Sequence, residues 1–165
     1  MKQAVYEFSR PLQVDRVPKL GSHERLTADS KECDALAARV GIPKIHSCGG
    51  FLKVSPWRGG GLKITGNLEA EVDQISVVSL ETFTEKVNFQ VERFFLPQRE
   101  SQSTSEEDVD VIENGSVDLG EILAETLALE LDPYPRKPGD VFHDVLESVE
   151  PEKVSPFTKL KPLEY

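Results

Sequence analysis

Apolar and polar residues alternate without a break from Leu62 to Asp73. Leu62, Ile64, Gly66, Leu68, Ala70 and Val72 fall on one side, and Lys63, Thr65, Asn67, Glu69, Glu71 and Asp73 on the other. A period of two sends successive side chains to opposite faces of a strand. One wet face marks an antiparallel sheet. The phase blurs near Ile75, where a bulge is expected. Val87, Phe89 and Val91 then alternate with Asn88, Gln90 and Glu92. The two runs predict a hairpin of strands 62–78 and 85–96, turning at "LETFTE", 80–85. Upstream, Ala4 to Val14 reads as a first strand and Glu24 to Leu26 as a short second one. "KIHSCGGFLKVSPW" reads as a strand weakened by glycine in its middle, and "VDVIE" at 109–113 as another short strand.

Two segments follow the helical period instead. Asp29 with Glu32 three residues on forms a capping box. Cys33, Leu36, Ala37 and Val40 make one apolar stripe, and Gly41 followed by Pro43 ends the helix, giving 30–40. In "DLGEILAETLALELDPYPRKPG", Leu119, Ile122, Leu123, Thr126 and Leu127 form a second stripe. Ser116 or Asp118 can cap it, and Asp132-Pro133 stops it, giving 117–131. Asp118, Glu121 and Glu125 are expected to face outward. Beyond them, prolines on both sides hold Tyr134, with Arg136 following.

These elements predict an α+β fold. An antiparallel sheet, open or partly closed, carries two main helices packed on its apolar face. At 165 residues the chain suffices for one domain with its own core. That domain is expected to span 1–139, with a flexible acidic loop at 98–108, "QRESQSTSEED", which has nothing to bury. Residues 140–165 form a partly disordered tail, where "DVFHDVLESVEPEKV" can make one short helix at most. No run is apolar enough to cross a bilayer, and the N-terminus lacks a signal-peptide block. A cytoplasmic protein with Cys33 and Cys48 as reduced thiols is the expectation. Asn114 in "NGS" reads as a turn.

Charge divides the chain. Residues 1–97 hold 12 acidic and 13 basic side chains, a net of +1, whereas 98–165 hold 17 acidic and 6 basic, a net of −11. An acidic surface repels phosphate backbones and suits a basic protein partner. Candidate chemistry is sparse. "RGGG" at 58–61 precedes a strand and lacks a following Lys-Ser/Thr, so it is no phosphate loop. His46 and Cys48, two apart on a strand, would share a side, but the remaining donors do not complete a zinc set. No nucleophile and base can be paired from spacing. The chain therefore reads as a non-enzyme with no metal and no cofactor.

Three stretches together resemble one family: "TGNLEAEVDQISVVSLETF" at 65–83, "VDLGEILAETLALELDPYPRKPG" at 117–139, and "SPFTKLK" at 155–161, with the acidic linker between the first two. The chain is similar to the YceD family of bacterial and plastid large ribosomal RNA subunit accumulation proteins, most of all to its alphaproteobacterial branch. Many members carry Cys-x-x-Cys where this chain has Ser76-Val77-Val78-Ser79, and hydroxyls cannot replace soft thiolate ligands. The resemblance implies a part in ribosome biogenesis and assigns no catalytic residue. Joined to the charge pattern, it leads to the expectation that a basic ribosomal protein or assembly factor binds at Asp118, Glu121, Glu125, Tyr134 and Arg136, so that rRNA is served indirectly. The alternative is direct RNA binding by the near-neutral N-terminal part, with Lys44, Lys53, Trp57, Arg58 and Lys63 as a basic-aromatic cluster.

Overall fold

The computed structural model describes residues 7–98 and 109–141. Within them the strands are β1 (Pro11–Gln13), β2 (Ser22–Thr27), β3 (Lys44–Trp57), β4 (Gly61–Ile75), β5 (Thr82–Pro97), β6 (Val109–Ile112) and β7 (Ser116–Asp118), and the helices are α1 (Ser30–Val40) and α2 (Leu119–Glu130). Five strands make one sheet in the order β2-β3-β4-β5-β6, while β1 and β7 pair apart from it. The fold is α+β and the sheet is open rather than closed. Its neighbours run antiparallel except β5 and β6, which are parallel.

The alternation from Leu62 to Val72 does what its period requires. Leu62, Ile64, Leu68 and Val72 are fully buried or nearly so, and their strand neighbours stand at or near the surface. Register carries the buried row across the sheet: Leu26 opposes Gly50, Gly50 opposes Leu68, and Leu68 opposes Phe89. Both helices pack on this side. Cys33, Leu36 and Ala37 of α1 join the same core as Ile122, Leu123 and Leu127 of α2. Gly50 and Gly66 let the backbones close up here. A Cβ on Gly66 would lie 2.0 Å from the Phe51 carbonyl oxygen.

Several boundaries differ from the sequence expectation, each for a physical reason. The hairpin turns at 76–81, and pairing runs unbroken to Ile75 opposite Thr82. Ser76-Val77-Val78-Ser79 resembles strand by its β-branched residues, but the Ser76 hydroxyl accepts from the backbone N–H groups of Val78 and Ser79 and curls the chain. Leu80 completes the turn with φ of 60°. Thr82 and Thr84, assigned to the turn, are strand residues instead, and Thr84 donates to Asp73 across the pair at 2.6 Å. No bulge lies at Ile75. The register shift falls between Ile45 and Ser47 in β3. That shift also separates His46 from Cys48: the thiol is buried, while the imidazole is exposed and bonds Asp73 at 2.9 Å.

α1 starts and ends as its sequence predicts, with Asp29 and Glu32 in a complete capping box and Gly41 left-handed at its end. α2 begins two residues later than expected because Val117 belongs to β7, and Asp118 is its N-cap. This helix is apolar on more than one side. Gly120 and Ala124 are buried with the expected stripe, and Phe8 and Arg10 lie against Gly120. The expectations for residues 1–6, for the loop at 99–108 and for the tail from 142 lie outside the described residues.

Candidate functional site

Asp118, Glu121 and Glu125 each have partners within the chain. Asp118 accepts from the backbone N–H groups of Arg10, Gly120 and Glu121 and from the Ser9 hydroxyl. It therefore caps α2 and ties the β1 approach to it. Glu121 takes both terminal nitrogens of Arg39 at 2.9 and 2.7 Å, a two-point pairing that holds α1 against α2. That bonding raises the Arg39 pKa above its ordinary value. Glu125 pairs with Arg93 at 3.1 Å, and Asp110 shares the same guanidinium. Burial disfavours the Arg93 charge, but the hydrogen bond and charge of Asp110, with Glu125, outweigh it and raise the pKa. The outward face read from sequence assumed free carboxylates. Arg39 and Arg93 supply internal counterions from distant parts of the chain.

Tyr134 and Arg136 stand apart from this network. Tyr134 is 71 % exposed, and Arg136 is exposed as well. Their segment is fastened around them: Tyr134 N–H donates to Asp132, Val77 N–H donates to the Pro135 carbonyl, and Lys137 pairs with Glu81. Ser76 and Ser79 both donate to one oxygen of Asp140, which lowers the Asp140 pKa, Ser76 contributing most. The two hydroxyls thus clasp the hairpin turn to the segment after α2. Among the described residues no cluster of three His, Cys, Asp or Glu side chains could hold a metal ion. Burial pushes the Cys48 thiol up to about 12, so it stays protonated and unreactive at neutral pH.

The opposite face of the sheet is different. Among the described residues no helix covers it. Strand register sets three rows across it: Arg25, Phe51, Asn67 and Gln90; then His23, Lys53, Thr65 and Glu92; then Ser55, Lys63 and Phe94. Trp57 and Arg58 close its end. Trp57 and Phe94 meet with ring centroids 4.8 Å apart. Arg58 lies over Trp57 at 4.5 Å, Lys63 over Phe94 at 4.9 Å, and Arg25 over Phe51 at 5.0 Å. Each is a cation held on a ring face by the ring quadrupole. Lys63 also pairs with Glu92 at 2.7 Å.

Four members of the sequence-predicted cluster, Lys53, Trp57, Arg58 and Lys63, thus come together. Lys44 does not, because it opposes Asp73 at the far end of β3. Sequence reading missed Arg25, Phe51 and Phe94. Phe94 falls on the polar side of β5, where an aromatic breaks the alternation, and that exception was the available signal. Phe51 likewise sits out of phase between buried Gly50 and Leu52. Arg25 is legible only once β2 is paired to β3.

No helix among the described residues is long and apolar enough to cross a membrane. A family model described as large ribosomal RNA subunit accumulation protein YceD matches residues 64–164, more than half of the chain. Comparison with curated proteins and with solved structures gives no match.

Proposed function

The chain belongs to the YceD family of large ribosomal RNA subunit accumulation proteins, and on that premise we propose that it serves large-subunit rRNA by binding it directly through the open sheet face. The family name ties the chain to rRNA accumulation, and it describes no enzymatic reaction. The observation that carries the finer reading is the trio of cations held over exposed-side aromatic rings at Phe51, Trp57 and Phe94. Rings with cations on a surface that no helix covers among the described residues offer both of the interactions that RNA supplies partners for, base stacking and phosphate pairing. The action is non-enzymatic and takes place in the cytoplasm, where ribosomes are assembled.

The overall acidity does not oppose this, because charge acts locally at close range. On the half of the face toward Trp57 the described charges are Arg25, Lys53, Arg58 and Lys63 against Glu92. Glu69, Glu71 and Asp73 stand on the other half.

A second reading rests on Tyr134. An exposed tyrosine between prolines, followed by an exposed arginine, suits a protein partner such as a basic ribosomal protein or assembly factor, since both residue types are frequent binding anchors. Asp118, Glu121 and Glu125 would then add to that surface only by giving up their internal partners. Capture from cell lysate with and without nuclease separates the readings. Direct RNA contact expects large-subunit rRNA to be recovered and to disappear with nuclease. Basic proteins retained after nuclease, with no rRNA crosslinked to the chain, would replace it with the second reading.

A further inference from the structure

Resting on that reading of the sheet face, we propose that it is a track for unpaired RNA, with Phe51 and the Trp57–Phe94 pair as two stacking stations. Phe51 is half exposed, at 51 %, with the Arg25 guanidinium over its ring. Trp57 lies on the same face of β3 six residues on, about 20 Å along an extended strand. Between the stations the face presents Lys53, Thr65 and Asn67, a cation and hydrogen-bonding groups in adjoining rows. A depression of about 370 Å³ adjoins Phe51 on the cationic half, lined by His23, Arg25, Lys53 and Thr65.

Unpaired RNA fits this arrangement and duplex RNA does not. Single strands turn their base faces outward, and those faces stack on aromatic rings and on guanidinium planes. A duplex keeps its bases stacked on one another and is held through phosphates and 2′-hydroxyls across grooves. Such a rod laid along the strands would bring phosphates against Glu69, Glu71 and Asp73 beyond Phe51. The rings at Phe51 and Trp57 would then have no partner. A single strand can follow the cationic half alone.

Trp57 is the chain's one tryptophan, so its fluorescence reports on the second station directly. The test titrates the full chain with a short oligouridylate and with a blunt RNA duplex of equal length, following tryptophan emission and fluorescence anisotropy of the labelled RNA. The single strand is expected to quench Trp57 and to bind at least tenfold more tightly than the duplex. Phe51→Ala and Phe51→Leu should each weaken single-strand binding by roughly tenfold, the loss of one stacked base, with melting curves close to the parent. Lys53→Gln should flatten the salt dependence by about 0.7 in the log–log slope, one single-strand phosphate contact. Lys31→Gln, on the exposed side of α1, should change none of these. Equal binding of duplex and single strand, or parent-like binding by both Phe51 variants, overturns the track and leaves direct RNA contact standing. Failure of both RNAs to bind removes both.

Discussion

Tyr134 and Glu121 show how differently two residues of one sequence motif can be used. The tyrosine packs little of its surface, so Tyr134→Ala should leave unfolding free energy within about 0.5 kcal/mol of the parent. A large drop in a melting curve would mean that the ring is held by the core. Glu121→Lys should behave otherwise. It sets an ammonium against Arg39 and removes a two-point pairing between the helices, so a loss of roughly 1 kcal/mol or more is expected. Restoring much of that loss with Arg39→Glu in the same chain would identify the pair as the cause. The caps Asp29 and Asp118 were legible because their hydrogen bonds are local. The Arg39–Glu121 and Arg93–Glu125 pairs were not, because residues 82 and 32 positions apart are brought together only by the packing of helix on helix and helix on sheet.

At the scale of elements, β4 and α1 follow directly from period and capping: α1 occupies the range its sequence suggests, and β4 starts within one residue of it but ends three residues early, at Ile75. The hairpin turn does not, since a serine that accepts from two following N–H groups can bend a stretch whose composition favours strand. The register shift in β3 between Ile45 and Ser47 shows only in its pairing with β4. Close packing within the sheet gives a sharp expectation: Gly66→Ala forces a Cβ against the Phe51 carbonyl and should destabilise by roughly 1–3 kcal/mol. An unchanged denaturant midpoint would contradict that packing. Acid should act on the junction between β1 and α1. The hydrogen bond from Arg10 holds the Glu32 carboxyl below its ordinary value of 4.5, with the Asp29 N–H adding to the effect. A carboxylate depressed in the folded state stabilises above the unfolded pKa and loses that contribution as pH falls through the folded one. The stability gap between the parent and Arg10→Ala should therefore be constant near neutrality and narrow below about pH 4.5. A gap that widens in acid would reverse the sign and exclude the pairing as its source.

For the whole molecule, the charge of the chain and the charge of the candidate surface point in different directions. The acidic excess belongs to 98–165, and much of that span lies outside the described residues. The sheet face is built from the near-neutral part. Sequence alone weighted the net charge and favoured a protein partner. Register shows why a total is a poor guide: Arg25, Phe51, Asn67 and Gln90 come from four strands, and only their pairing makes them one row. The fold class and the two helices were readable from periodicity, whereas the surface required the strand order. Direct RNA contact through that surface is tested most plainly by ultraviolet crosslinking of the full chain to RNA in cells, followed by mapping of the nucleotide-bearing peptides. Crosslinks should fall in β3 and the start of β4, at Phe51, Trp57 or their neighbours, on fragments of large-subunit rRNA. Crosslinks confined to 131–141, or none at all beside basic proteins that survive nuclease, would contradict it.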